Sequence, residues 1–253
     1  AVLLSRDGRF VRQPTDGSAA RILTRSIDAR IALAPSNRYA IHEPTGSVES
    51  RLAMEPMTSP DGTHIAFAAL GGLWVQEIGG GAAQRLPIDL DLPSEPAWSP
   101  DGTRLVFVTW SEAEGGAVWT SSADGSGARK LDVVPAYYRA PVFTPDGRRI
   151  LVLRSPTDQR RQNYFEIGME REGDLVALDP TSGADKIIAH GNFGGHAQFT
   201  QEAGAAFYYT GSALERVDLA TGATAPVARV TGPSYYFVEG NSPVDDMRIS
   251  PDG

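Results

Sequence analysis

Short runs of apolar residues, many of them β-branched or aromatic, follow a polar turn again and again along this chain. The turn is Ser-Pro-Asp-Gly at residues 59–62, 99–102 and 250–253, and Thr-Pro-Asp-Gly at residues 144–147. The runs after the first two copies read HIAFAAL and TRLVFVTW, which have the length and composition of β-strands. The pattern therefore predicts many short strands joined by tight turns.

The turn recurs at a nearly regular interval. Gly62 and Gly102 are 40 positions apart, Gly102 and Gly147 are 45 apart, and Gly147 and Gly253 are 106 apart, which fits two units with a degraded turn between them. Proline fixes φ at the first central turn position, while Asp-Gly supplies a local hydrogen bond and a free φ, so each copy predicts a hairpin. A period of about 40 to 50 residues is typical of β-propellers.

Each unit reads as four strands. In the second unit EPAWS is the predicted innermost strand, and TRLVFVTW, GAVWTSS and ARKL follow it outward. Trp74 and Trp119 are 45 positions apart at matching places in the third strand, where we expect them to pack between neighbouring blades; stacking on a ligand is the alternative.

The two ends of the chain read as incomplete blades. VLLS, RFVRQ and ARILT are predicted strands with no innermost strand before them, and MRISPDG is a predicted innermost strand with its turn. Either the C-terminal strand completes the N-terminal blade and closes the ring, or the chain is a piece of a longer polypeptide. A degenerate blade around residues 30–44, two regular blades, blades beginning at PVFTP and HAQFT, and the composite blade give six. The prediction is an all-β propeller of about six four-stranded blades in one domain, residues 1–253.

Composition fits this fold and narrows the partners. Hydrophobic residues make up 41% of 253 positions, and 27 glycines and 18 prolines supply many turns. The 23 basic and 31 acidic residues give a net charge of -8, which disfavours nucleic acid as a partner. No apolar stretch approaches the 18 residues of a membrane span. The chain has no cysteine, which excludes disulfides and thiolate metal sites.

The segment SPDGTHIAFAALGGLWV, followed by EPAWSPDGTRLVFVTW, resembles the propeller repeat of the TolB family over about residues 54–253. Together with GGHAQFTQEAGAAFYYTGSALERVD it is similar to the propeller that precedes the catalytic barrel in large bacterial amidohydrolases. This resemblance implies a periplasmic or secreted protein, with a divalent metal held by a catalytic domain outside these residues. Peptidases of the prolyl-oligopeptidase and tricorn types contain similar propellers, so the repeat alone does not identify the domain that accompanies the propeller.

Residues for catalysis are not evident in this chain. The amidohydrolase resemblance would require a His-x-His pair, and none occurs; nor does a Gly-x-Ser-x-Gly nucleophile motif. Of the four histidines only His190 and His196 lie near each other in sequence, which makes them weak metal candidates. The acidic pairs are weak calcium candidates that we expect to face water: Asp89, Asp91, Asp245 and Asp246. We expect this chain alone to need no cofactor and not to be a catalyst.

Long irregular segments are predicted to share one face of the propeller, opposite the Asp-Gly turns. They are rich in tyrosine and arginine, residue types that anchor protein interfaces. The predicted contact residues are Tyr137, Tyr138, Arg139, Arg160, Arg161, Tyr164, Tyr235 and Tyr236. The alternative is that the tyrosines only cover the blades and that the arginines are solvated.

Three functions stay open at this point. The chain is the propeller part of a larger hydrolase, docked to a catalytic domain; or a TolB-like module that binds a protein partner; or a propeller that binds a small ligand or carries its own hydrolytic site. The missing set of nucleophile, base and orienting group disfavours the third.

Overall fold

The computed structural model describes residues 1–6, 9–23, 46, 50, 52–131, 133–158, 172–211, 213–231, 247–250 and 252. The chain divides into two units, Ala1–Val48 and Glu49–Gly253. The first unit contains one antiparallel sheet of three consecutive strands, β1 (Val2–Arg6), β2 (Arg9–Gln13) and β3 (Arg21–Leu23). These strands match VLLS, RFVRQ and ARILT, so the sequence prediction is confirmed here. In the turn between β2 and β3, the Ser18 N–H donates to the Asp16 carboxylate at 3.0 Å.

The second unit contains four antiparallel sheets, each built from four strands that are consecutive in the chain. The first two sheets are β4 (Met54–Thr58), β5 (His64–Ala69), β6 (Gly72–Glu77) and β7 (Gln84–Arg85), then β8 (Ser94–Trp98), β9 (Arg104–Ser111), β10 (Gly115–Ser122) and β11 (Arg129–Lys130). The last two are β12 (Tyr137–Phe143), β13 (Ile150–Ser155), β14 (Gly173–Leu178) and β15 (Asp185–Gly191), then β16 (Gly194–Gln198), β17 (Ala205–Tyr209), β18 (Ala213–Asp218) and β19 (Thr224–Arg229). The predicted four-strand unit is confirmed in all four.

The predicted count of six sheets is not reproduced, because the described residues form five sheets, one of them with three strands. The degenerate blade predicted around residues 30–44 lies outside the described residues. That stretch also lacks the Pro-Asp-Gly turn that joins the first two strands of the regular sheets. Closure of the ring by the C-terminal strand stays a prediction.

The C-terminal segment 247–250 lies beside the first strand of the last sheet. The Gln198 side-chain amide donates to the Met247 carbonyl at 2.8 Å, and its oxygen accepts from the Ile249 N–H at 2.8 Å. Met247 and Ile249 also pack against the buried Phe207. The segment thus covers one face of this sheet, although it forms no strand ladder with another described residue.

The Ser-Pro-Asp-Gly turn is stabilised by a closed set of hydrogen bonds. In the second copy the Ser99 hydroxyl donates to the Asp101 carboxylate at 2.6 Å and accepts from the Arg104 N–H at 2.9 Å. The same carboxylate accepts from the Thr103 N–H at 3.0 Å. The Ser59 hydroxyl and Asp61 make the matching bond at 2.6 Å in the first copy. These bonds fix the hairpin, which explains why the tetrapeptide recurs.

Each main core cluster lies between two neighbouring sheets. Leu73 of β6 packs in one cluster with Phe107 of β9. The two further clusters join the second sheet to the third and the third to the fourth. Trp119 stacks on Phe107 at a centroid distance of 6.5 Å and lies at the edge of the first cluster, as predicted for a tryptophan between blades. Apolar burial between successive sheets is therefore the main stabilising contribution in this unit.

Candidate functional site

The first strand of each sheet in the second unit contains an irregularity at one repeated position. Glu55, Glu95 and Ala140 have φ values of 52°, 52° and 49°, and the strand register shifts at each of them. Gly195 takes the same role in β16, with φ of 65°. A register shift of this kind is a β-bulge, which bends the strand and redirects a side chain. Each non-glycine bulge residue precedes a proline, so the repeated X-Pro step was a sequence signal for it that the strand analysis missed.

The bulge directs two glutamate side chains toward the next sheet. The Glu95 N–H donates to the Glu55 carboxylate at 2.7 Å, and the Ala140 N–H donates to the Glu95 carboxylate in a short hydrogen bond. Desolvation raises the pKa of Glu55 above its usual value, while the bond from Glu95 acts in the opposite direction. Hydrogen bonds from backbone to side chain thus link β4 to β8 and β8 to β12. The series ends at Ala140, because its side chain is a methyl group and not a carboxylate.

A cleft of about 340 Å³ opens beside these bulges, between the first and second sheets and the start of β12. Its lining combines apolar and aromatic side chains with the two carboxylates. The lining residues are Met54, Glu55, Ala68, Ala69, Gly71, Gly72, Leu92, Pro93, Ser94, Glu95, Val108, Thr109, Trp110, Tyr137 and Tyr138. They come from the starts of first strands, the β5–β6 hairpin, the connection into β8 and the C-terminal half of β9. The cleft therefore lies at the edge that the sequence predicted as the contact face.

Large apolar side chains are exposed in and beside this cleft. Met54 and Leu92 are 47% and 62% exposed, and Leu70, next to the lining residue Gly71, is 63% exposed. Val134 is also exposed, in the connection that leads into β12. Several exposed apolar residues at one edge favour an interaction surface over a simple solvated edge.

Two of the predicted contact residues line the cleft. Tyr137 packs edge-on against Trp110 at a centroid distance of 5.6 Å, and the Arg139 guanidinium lies 5.7 Å from the Tyr137 ring centroid. Tyr138 is only 2% exposed, and its hydroxyl donates to the Val134 carbonyl at 2.6 Å. Burial raises the pKa of Tyr138 to about 12. All three residues lie in strand β12, not in the preceding connection. Tyr137 and Tyr138 both line the cleft, but the Tyr138 side chain is buried and also packs in the core between two sheets.

The other predicted contact residues lie outside the described residues. They are Arg160, Arg161, Tyr164, Tyr235 and Tyr236. The prediction that they share a face with Tyr137 stays a prediction.

The candidate metal ligands His190 and His196 have different surroundings. His190 is on β15, and its Nδ1 lies 3.1 Å from the Asp174 carboxylate, which also accepts from Arg154 at 3.0 Å. His196 is on β16; burial lowers its pKa to about 4, with a smaller contribution from Arg248, and its Nε2 has no hydrogen-bond partner in the described structure. Within the described ranges, no group of three or more His, Cys, Asp or Glu side chains could hold a metal ion.

The acidic pair before β8 is exposed, as expected for residues that face water. Asp89 and Asp91 both lie in the connection that leads to Leu92. The second acidic pair, Asp245 and Asp246, lies outside the described residues. Among the residues that the structure places, no helix is long and apolar enough to cross a membrane.

Solved structures with similar folds are β-propeller proteins. TolB from Agrobacterium tumefaciens aligns with a TM-score of 0.56 at 19% identity, over 73% of this chain and 63% of its own. TolB from Acinetobacter baumannii gives 0.53 at 15%, over 88% and 49%, and an oligogalacturonate lyase in complex with manganese gives 0.52 at 13%, over 74% and 55%.

The chain therefore spans about half to two thirds of the length of these proteins. No protein-family model matches the sequence, and no curated protein matches it. At these identities the similarity identifies the fold alone. The chain has a TolB-like propeller fold, and the narrower resemblance to amidohydrolase propellers stays a prediction.

Proposed function

We propose that this chain is a docking propeller, whose cleft beside Glu55 and Glu95 binds another protein domain. The observation that carries the proposal is the exposure of Met54, Leu70 and Leu92 around a cleft that also contains aromatic side chains. Protein interfaces combine such apolar and aromatic anchors with a polar margin. A domain placed there would cover apolar surface that is otherwise in contact with water.

The partner that we propose first is the catalytic domain of a larger hydrolase of the amidohydrolase type, in the periplasm or secreted. The sequence resemblance to the propellers of amidohydrolases supports this assignment. The propeller would act as a scaffold and restrict substrate access, while the catalytic domain would hold the divalent metal.

The second candidate is an interaction module that works without an attached catalytic domain. The similarity in fold to two TolB structures, with TM-scores of 0.56 and 0.53, favours it. The same cleft would then bind a separate protein. The two candidates differ in whether the partner is encoded in the same polypeptide.

Hydrogen exchange tests the first candidate. Exchange is measured for the isolated chain and for the full polypeptide translated from the intact reading frame. We expect the backbone amides of residues 70–72, 92, 94, 133, 134 and 136 to exchange more slowly in the full polypeptide, since a docked domain would cover them. The turn at residues 124–127 is at the opposite edge and should be unchanged. If the reading frame encodes no further domain, or the cleft amides exchange equally fast, the hydrolase assignment is wrong.

A further inference from the structure

Leu70 occupies a turn position that normally selects a different residue. β5 ends at Ala69 and β6 begins at Gly72, which leaves a two-residue hairpin of Leu70 and Gly71. Their φ values are 50° and 68°. Positive φ at both positions is the type I′ pattern, for which Asn-Gly is strongly preferred because a bulky side chain is strained there. The leucine is kept in this conformation with 63% of its surface exposed, so burial does not explain it.

Leu92 shows the same combination of strain and exposure. Its φ is 44°, it is 62% exposed, and it directly precedes Pro93. A residue before proline prefers extended backbone, so a left-handed leucine is unfavourable on two counts. Backbone strain that is not offset by favourable packing of the side chain is concentrated at functional positions in proteins. Both strained leucines border the cleft, which favours a role as anchors for a bound segment.

The charges around the cleft indicate the chemistry of a segment that would bind there. Among the described residues, its lining contains two carboxylates, Glu55 and Glu95, and no lysine or arginine. Asp91 directly precedes Leu92, and the Glu112 carboxylate accepts from the Trp110 indole N–H at 2.7 Å. The described residues also place cations near the lining: Arg139 lies over Tyr137, and Arg85 packs against Gly72. Arg154 interacts with Tyr138, but its charge is paired with Asp174 and Asp185. Carboxylates thus prevail beside the exposed leucines, and their field attracts a cationic partner.

We propose that the cleft binds a partner segment that carries lysine or arginine beside apolar residues, with Leu70 and Leu92 as apolar anchors. This inference rests on the proposed docking function, and it names the chemistry of the segment that docks. Apolar side chains of the partner contact the leucines and Trp110, while its cations lie near the carboxylates of Glu55, Glu95 and Asp91.

Two synthetic peptides test this proposal by fluorescence anisotropy with the whole chain. Both are fluorescein-labelled decapeptides with leucine at alternate positions; arginine fills the other positions in one and glutamate in the other. We expect the arginine peptide to bind about tenfold more tightly than the glutamate peptide, and its affinity to fall as salt is raised. Equal affinity of the two peptides, or binding that salt does not change, would overturn the proposal.

Matched variants locate the binding. Leu70→Ala combined with Leu92→Ala should weaken binding of the arginine peptide at least tenfold, since the double variant removes both apolar anchors. Ile187→Ala is the control, because Ile187 is 52% exposed on β15, away from the cleft. Asp91→Asn should reduce the salt dependence, whereas Glu77→Gln, at the opposite edge, should not. An unchanged affinity in the double leucine variant, with circular dichroism showing a folded chain, would refute the site.

The two proposals fail in different ways. If the cleft amides are protected in the full polypeptide but the peptides bind equally, only the charge preference is wrong. If the arginine peptide binds at the leucines but the full polypeptide gives no protection, the attached catalytic domain is wrong and the cleft serves a separate partner.

Discussion

The Glu55 carboxylate accepts a hydrogen bond from the backbone N–H of Glu95, the residue at the same position of the next sheet, at 2.7 Å. Glu95 repeats the relationship with Ala140. These bonds join first strands of neighbouring sheets, whereas the apolar clusters join the sheet faces. The strand bulge makes the contact possible because a regular strand would direct the glutamate elsewhere. The same residues also line the cleft, so a structural link and the candidate docking site share them.

Removal of the Glu95 carboxylate should destabilise the chain. A hydrogen bond to a charged group is worth about 1.5 to 3 kcal/mol, so we expect Glu95→Ala to lower the free energy of unfolding by about 2 kcal/mol. Urea denaturation measures it, and Glu95→Gln should recover part of the loss because the amide oxygen still accepts. The exposed Glu77→Ala variant is the control. Equal midpoints for Glu95→Ala and the parent chain would show that the link between the sheets contributes nothing.

The hydroxyl of Ser99 should matter more than that of an exposed serine in the same sheet. Ser99 is fully buried and makes two hydrogen bonds, one to Asp101 and one from Arg104. Ser99→Ala removes the acceptor of the half-buried Arg104 N–H and the hydroxyl that donates to Asp101, which costs about 1 to 3 kcal/mol. Thermal unfolding of Ser99→Ala and of Ser122→Ala, at the exposed end of β10, provides the comparison. If both variants melt at the same temperature, the turn network is not needed for the hairpin.

The turn carboxylates predict a loss of stability in acid. Hydrogen bonds from Ser59 and Thr63 lower the pKa of Asp61 to about 2, and those from Ser99 and Thr103 lower that of Asp101 to about 2. Both values lie below the ordinary 3.8, so the ionised carboxylates stabilise the fold above pH 3.8. That contribution is lost as the pH falls toward 2. The double variant Asp61→Asn, Asp101→Asn should have a flatter stability profile in this window; an unchanged slope would contradict the assignment.

His196 predicts a second, separate pH window. Burial lowers the pKa of its imidazole from 6.5 to about 4, so the folded chain holds it neutral while the unfolded chain binds a proton below pH 6.5. Stability should therefore decrease as the pH falls from 6.5 to 4, by an amount on the order of 3 kcal/mol. His196→Gln cannot titrate and should remove this slope. The absolute stability of the variant is not the readout, because the substitution also changes packing; a slope retained in His196→Gln would refute the prediction.

The sequence was most informative where local physics decides the structure. The turn tetrapeptide encodes its own hydrogen bonds, so Ser59 and Ser99 marked the hairpins and the four-strand units correctly. The bulge at Glu95 depends on contact with a neighbouring sheet, and the only sign of it in the sequence is the repeated X-Pro step. The sequence analysis groups Tyr138 with the irregular segments, yet its ring is buried in the cluster between two sheets. Burial between sheets is a tertiary property, which a single unit of the repeat does not encode.

Substitutions of Leu70 test whether this residue lowers the stability of the fold while it contributes to binding of the partner segment. Leu70→Asn should raise the free energy of unfolding by about 1 kcal/mol, because Asn-Gly fits a type I′ hairpin and the left-handed conformation costs leucine about 1 to 2 kcal/mol. Leu70→Ala has a β-carbon but lacks the side-chain amide whose local hydrogen bond lets asparagine adopt this conformation, so it should give no such gain. Chemical denaturation of the two variants isolates the backbone effect from the loss of the side chain.

Both substitutions should weaken binding of the arginine peptide, since both remove the leucine anchor. A variant that is more stable yet binds less well is the expected outcome for a strained functional residue. If Leu70→Asn is no more stable than Leu70→Ala, the turn is not strained, and the case for Leu70 as an anchor must rest on the peptide measurements alone.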